Sequence, residues 1–244
     1  MTTMWKLLRE LSHPKRLEII RIIAVKPKAV EGIAEQVDAS VQETTVHLDR
    51  LRNAGLVDKE SGGAFRTAPM GHLTLSLLPG LDFVATHSDY FRDQELSLLP
   101  APLIARLGDL KDSQRRDGTV SNIQLAERIF SRSEKRIWVI ANEVMLDAVP
   151  VIREKVAEGA DFKFVIDQTF KAPPSFEPSL PELWRQVPRI PAAAVVTEKE
   201  GMVCFLDREL MVDYTVAFTS DEPSLLKWCE DLVDSSWKEG VSLQ

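Results

Sequence analysis

The sequence predicts an α+β winged-helix domain at the N-terminus followed by an α/β domain. Three observations carry this reading. Residues 4–54 read as four short helices, and a hairpin follows at 56–67. Residues 136–167 read as strand, helix and strand within about thirty residues, the spacing of a parallel βαβ unit. A final helix from Pro223 carries Leu225, Trp228, Cys229, Leu232 and Val233 on one apolar stripe. A chain of 244 residues lies between one large domain and two ordinary ones, and 44% hydrophobic with 27% charged residues is globular composition.

The elements follow in order. Met4 to Leu11 is helical, with Trp5, Leu8 and Leu11 toward one face. Ser12-His13-Pro14 restarts the chain, since proline is tolerated in a first helical turn where its missing N–H needs no partner. The next helix sets Leu17, Ile20, Ile23 and Ala24 on one face and stops before Pro27. A short helix at Val30 to Val37 turns inward with Ile33, Ala34 and Val37. After Asp38-Ala39, Ser40 caps a helix running to about Ala54, and Gly55 supplies the left-handed residue that ends it. Leu56 and Val57 begin a strand that returns through Phe65-Arg66-Thr67 around a tip at 59–64. A helical connector runs from Leu73 to about Tyr90, begun or interrupted near Pro79-Gly80, and Leu103 to Leu107 is a short helix. Arg115-Arg116-Asp117-Gly118 reads as a polar turn.

In the second half, Asn122 to Phe130 is a helix and Arg136 to Ala141 a buried strand. Met145, Ala148, Val149, Ile152 and Val156 fall at helical spacing up to Gly159, and Asp161 to Asp167 is the second strand. A proline-rich loop follows at Pro173, Pro174, Pro178 and Pro181. Ala192–Thr197 and Met202–Leu206 form a hairpin, and Tyr214–Phe218 a further strand. The expected divisions are 1–72 for the winged helix, 73–118 for a connecting and dimerising segment, and 119–244 for the α/β domain.

The net charge of −7 speaks against a nucleic-acid binder when taken alone. Its distribution speaks less strongly: the residues through Ser76 hold eleven Lys and Arg against nine Asp and Glu, and the acidic excess lies in the remainder. No stretch is long and apolar enough to span a bilayer and no signal peptide is evident, so a cytoplasmic protein without a membrane partner is expected.

The helix-turn-helix of residues 30–57 carries the functional expectation. Burying Ile33, Ala34 and Val37 against Thr44, Leu48 and Leu51 holds the second helix at an angle that lets it enter a major groove. Gln42, Glu43, Thr45 and Val46 then face outward. Gln42 suits an adenine edge or a phosphate, Thr45 a base or phosphate, Val46 a thymine methyl, and Glu43 a cytosine amine. Arg50 and Arg52 are placed to meet phosphates, as are Lys59 and Arg66 on the wing, and Ser40 with the helix N-terminus offers amides to another. Double-stranded DNA is the expected partner. A winged helix used only for protein contacts is the alternative. A two-fold homodimer would present two recognition helices, its seam formed by the first helix and the connector.

Leu11-Ser12-His13-Pro14, Arg16-Leu17, Thr44-Thr45-Val46-His47-Leu48 and Leu51 with Ala54-Gly55-Leu56-Val57 resemble the ArsR-type winged-helix regulators over the first seventy residues. Those regulators often sense metals through cysteine thiolates, but Cys204 and Cys229 both lie outside the domain, so no metal site is expected. Leu73-Thr74-Leu75, His87-Ser88-Asp89-Tyr90-Phe91, Leu98-Leu99-Pro100 and Leu103-Ile104-Ala105-Arg106-Leu107-Gly108-Asp109-Leu110 resemble archaeal regulators of the methanogenesis-regulatory FilR type. That resemblance implies a transcription regulator whose C-terminal domain is a phospholipase-D-like α/β module without catalysis.

The residue types agree with a non-enzyme. Phospholipase-D chemistry needs a histidine nucleophile, and His13, His47, His72 and His87 all precede the α/β region. No glycine loop suited to a phosphate follows a strand, so no cofactor is expected. A small effector of unknown identity is a further partner. Ligands of parallel α/β units gather beyond the carboxyl ends of strands, here at Asn142 after one strand and Asp167 and Gln168 after the next. Against this, Asn142 serves equally as a helix cap, and Asp167 and Gln168 as the start of a loop.

Overall fold

A computed structural model describes residues 3–170 and 181–242. The chain divides into two compact units, Met1–Pro79 and Gly80–Gln244. The expected connector at 73–118 is shared between them.

The first unit is the helix-turn-helix with its wing. Its elements are α1 (Met4–Leu11), α2 (Pro14–Val25), α3 (Val30–Gln36), α4 (Val41–Asn53), β1 (Val57–Lys59) and β2 (Phe65–Thr67). The core is Ile19, Ile20 and Ile23 of α2, Ile33 of α3, Leu48 and Leu51 of α4, and Leu56 and Phe65 of the hairpin. Trp5 and Leu8, on the face of α1 expected to serve a dimer seam, are 58% and 49% exposed, whereas Leu11 is buried. Gly55 ends α4 at φ +76°, where a side chain is strained. The β1–β2 ladder is antiparallel, pairing Val57 with Thr67 and Lys59 with Phe65. Lys28 forms an isolated antiparallel bridge to β2 by exchanging both backbone hydrogen bonds with Phe65, a pairing that no periodicity announces.

Helix α5 (Pro69–Thr86) runs without interruption through Pro79 and Gly80. The break expected there does not occur. Proline inside a helix removes one backbone bond, and the turns beyond it stay fixed because Phe83 is buried edge-on against Phe91 and Phe218.

In the second unit, α6 (Ser88–Phe91), β3 (Gln94–Glu95) and α7 (Ala101–Ile104) lead to a 3-10 turn at Leu107–Leu110. The main body follows as β4 (Gln114–Asp117), α8 (Thr119–Arg132), β5 (Arg136–Ala141), α9 (Val149–Ala157), β6 (Asp161–Asp167) and β7 (Trp184–Val187). It closes with β8 (Ala193–Thr197), β9 (Gly201–Cys204), β10 (Leu206–Asp207), β11 (Val216–Ser220), α10 (Pro223–Glu239) and β12 (Val241–Ser242). The eight-stranded sheet has the order β12-β7-β6-β5-β8-β9-β11-β4. Strands β5, β6 and β7 are parallel, and the remaining neighbours are antiparallel. The expected βαβ unit is therefore present, with Val139 opposite Phe164.

Several elements differ from expectation. Residues 114–117 form a strand rather than a turn. The polar run is tolerated because β4 lies at the sheet edge and pairs on one side only, with β11. Strand β7 carries no clear sequence signal because Trp-Arg-Gln-Val lacks an apolar run. Of the expected proline-rich loop, Pro173, Pro174 and Pro178 lie outside the described residues. Helices α8 and α9 cover one face of the sheet and α10 the other. Lys163 of β6 reaches Asp234 of α10 at 2.6 Å and lies 3.6 Å from the centre of the Trp138 ring, which fixes that second face.

Candidate nucleic-acid interface

The recognition geometry begins at a local turn. Val37 and Ala39 close α3 through their amides, donated to Ile33 O and Ala34 O. Asp38 adopts φ +48°, the left-handed conformation its short polar side chain tolerates. Ser40 Oγ accepts from Glu43 N at 3.1 Å and caps α4, as expected from sequence. Thr44, His47, Leu48 and Leu51 turn inward, and Gln42, Glu43, Thr45, Val46, Arg50 and Arg52 are exposed. Val46 is 55% exposed, a high value for an aliphatic side chain in mid-helix. Thr45 donates its hydroxyl to Val41 O at 2.7 Å, so its oxygen lone pairs face outward.

Most of the charged residues on this face have partners within the chain. Arg50 Nε donates to Glu10 Oε2 at 3.0 Å and Nη2 to Oε1 at 3.4 Å. Glu10, in the last turn of α1, is only 5% exposed and also pairs with Arg16 at 3.3 Å. Burial alone pushes the Glu10 carboxyl up. Hydrogen bonds from Arg50 and the charge of Arg16 outweigh this and hold it below the usual carboxylate range. Arg50 therefore ties the recognition helix to α1, while its side chain stays 47% exposed.

Glu43 faces Lys15 at 3.2 Å, and the hydrogen bond from that lysine holds its carboxyl below the usual range. Arg52 pairs with Asp49 at 3.1 Å, and Arg66 with Asp58 across the hairpin at 3.3 Å. Lys59 lies over the Phe65 ring at 5.3 Å. Arg52, Lys59 and Arg66 remain exposed. His47 is buried, its ring 4.5 Å from that of His13 and its Nε2 3.5 Å from Glu43. Burial foremost pushes the His13 ring down, toward the neutral form.

Residues 13–59 match the family described as bacterial regulatory protein, arsR family. The matched span opens at α2 and closes at β1, so the arsR-family segment holds α2, the helix-turn-helix and the first strand of the wing. No curated protein matches the chain significantly. Among solved structures, the chain is similar to TrmBL2, an archaeal chromatin protein, at 9% identity and a TM-score of 0.42, over 99% of this chain and 100% of that one. The phospholipase D family member NUC from Salmonella typhimurium gives 11% identity and a TM-score of 0.41, over 55% of this chain and 99% of that one. NucT from Helicobacter pylori gives 7% and 0.43, over 54% and 100%.

Beyond the arsR-type segment, no group of histidine, cysteine and carboxylate side chains among the described residues could hold a metal ion. Both cysteines are fully buried. Burial pushes the Cys204 thiol up to about 12 and raises that of Cys229 further. His87, read as part of a connector, packs against the sheet instead: its ring lies 4.9 Å from that of Phe218 in β11. Its charged neighbours are Arg115, Asp89 and Asp117, with no lysine among them.

The residues expected to hold an effector are largely occupied. Asp167 is 1% exposed and accepts from Thr169 N and Ile190 N at 2.7 and 3.1 Å, so it ties the chain after β6 to that before β8. Asn142 accepts the Tyr214 hydroxyl at 2.7 Å. Gln168 is exposed and its backbone amide is bonded to Val187 O.

Proposed function

We propose that the chain is a sequence-specific double-stranded-DNA-binding transcription regulator that acts as a homodimer in the cytoplasm, its α/β unit serving as a non-catalytic sensor of a small effector. The carrying observation is the outward face of α4 within the arsR-type segment: Gln42, Thr45 and Val46 stand exposed on a helix capped by Ser40. A polar amide, a hydroxyl and a methyl-bearing side chain on one face suit base edges in a major groove. Exposed leucines at positions 73, 77 and 81 repeat every helical turn on α5, and Met4, Trp5 and Leu8 are exposed on α1. Such surfaces support a self-complementary dimer seam.

A protein-contact module is the second reading. It is favoured by the carboxylate partners of Arg50, Arg52 and Arg66. A gel shift against the upstream DNA of its own gene and against genomic fragments separates the two. A retarded band that weakens as salt rises supports the regulator, and no band with any fragment refutes it. Replacing Gln42 and Thr45 by Ala lowers the preference for the specific site over competitor DNA, by about tenfold for each lost base contact. An unchanged preference would remove α4 from the groove.

A further inference from the structure

Between α8, α9 and the face of the sheet that they cover lies a cavity of about 300 Å³. Its walls are apolar: Ala126 and Phe130 from α8, Ile152 from α9, and Phe164, Val195 and Trp184 from the sheet. Protein interiors hold few voids larger than a water molecule. A dry cavity of about 150 Å³ already takes up benzene, so twice that volume suits roughly a dozen non-hydrogen atoms. The cavity extends to Ala141 and Glu143 at the carboxyl end of β5, where ligands of parallel sheets gather. Glu143 and Arg153, its two charged lining residues, are exposed and so lie toward the mouth.

One polar group in the wall stands out. Asn122 is 1% exposed and lines the cavity. Its Nδ2 donates to Tyr214 O at 2.9 Å, which fixes the orientation of the amide and leaves Oδ1 without a hydrogen-bond partner. The nearby Tyr214 hydroxyl already donates to Asn142. A buried acceptor without a donor is costly, and a ligand hydroxyl or amide N–H removes that cost. A charged group has no buried counter-charge here and is disfavoured.

We propose that this cavity binds a neutral, largely apolar small molecule bearing one hydroxyl or amide N–H, donated to Asn122 Oδ1. The regulatory meaning of this binding, though not the binding itself, rests on the effector-sensing reading above.

Titration calorimetry of the full chain with 2-naphthol and with 2-methoxynaphthalene tests it, because the two differ in the donor. Both bind one to one and saturably, 2-naphthol about tenfold tighter, the size of one neutral hydrogen bond in affinity. Asn122→Leu lowers 2-naphthol to the level of its methyl ether. Ile123→Trp, at a lining position 41% exposed, weakens both by at least about tenfold through overpacking. Circular dichroism confirms that each variant is folded, and should Asn122→Leu fail to fold, the two ligands on the unaltered chain decide alone. No saturable heat, equal affinities, or indifference to Ile123→Trp each overturn the proposal. Gel shifts with and without 2-naphthol separate this from the regulator reading. Naphthol binding without any DNA shift refutes the regulator and leaves the cavity standing, and the converse refutes the cavity alone.

Discussion

Removing the charge of Glu10 should loosen the recognition helix without touching its outward face. The Glu10 and Arg16 side chains are 7% and 4% exposed, so their pair is buried, whereas the Arg50 side chain is 47% exposed. Breaking a buried pair by removing one partner costs about 3–5 kcal/mol. Arg16 keeps two backbone acceptors, Glu10 O at 2.7 Å and Arg9 O at 2.9 Å, which puts Glu10→Gln at the lower end, about 3 kcal/mol. Solvent screening reduces the Glu10–Arg50 coupling to about 1 kcal/mol. A double-mutant cycle of Glu10→Gln and Arg50→Gln, read by hydrogen exchange at the α4 amides, measures both terms. The Glu10 carboxyl is held below its ordinary value of 4.5, so its contribution is complete above that pH and is lost as pH falls through the lower folded value. Binding separates positioning from phosphate contact. Arg50→Gln and Glu10→Gln should both weaken DNA binding and leave its salt dependence unchanged, whereas a lost phosphate contact lowers the logarithmic salt slope by about 0.9. A reduced slope in Arg50→Gln, together with negligible coupling to Glu10, would refute the anchoring role.

Three further outcomes follow from packing. A Cβ on Gly71 would sit 2.2 Å from Leu56 O and 2.7 Å from Thr67. Gly71→Ala should thus destabilise the first unit by about 3 kcal/mol or more through overpacking against backbone, and unchanged exchange protection in α2–α4 would contradict this. Leu77, 77% exposed, lies at the centre of the α5 stripe. If the chain forms the proposed homodimer through α5, Leu77→Asp should shift it from dimer to monomer in light scattering with its helix content intact, and a dimer mass unaffected by the change would exclude α5 as the seam. Cys204 and Cys229, fully buried with thiols pushed up by that burial, should react with a thiol reagent at pH 8 only after denaturation. Prompt labelling of the folded chain would refute their burial.

What was legible depended on how local its cause was. The Ser40 cap, the Gly55 stop and the inward set Ile33, Val37, Leu48 and Leu51 arise within one or two turns, so periodicity and capping chemistry reveal them. Strand β4 reads as a turn because its side chains are polar. Its backbone is held by β11, about a hundred residues later, and nothing in Gln-Arg-Arg-Asp announces that partner. The same distance hid the roles of site residues. Arg50 stands forty residues from Glu10 in sequence, and Asn122 reads as a helix-start residue until its bond to Tyr214 O, ninety-two residues away, fixes one end of its amide. Pro79 misled for the opposite reason: its local penalty is real, but the packing of Phe83 one turn later overrides it.

The ion pairs of the first unit sort into two kinds, and the sorting says how a weakly basic surface can meet DNA. Arg52–Asp49 and Arg66–Asp58 join side chains that are about half exposed. Such pairs are worth about 0–1 kcal/mol, so exchanging a carboxylate for a phosphate costs little. Glu10 with Arg16 and Arg50 is buried at its centre and does not exchange. On the proposed DNA-binding reading, affinity would draw on a few exchangeable cations and on Lys59, while the fixed cluster would hold α4 at the angle from which Gln42, Thr45 and Val46 meet base edges. A surface built in this way spends little charge on non-specific attraction and leaves discrimination to geometry. That geometry is sensitive to Glu10, a residue with no exposed face of its own.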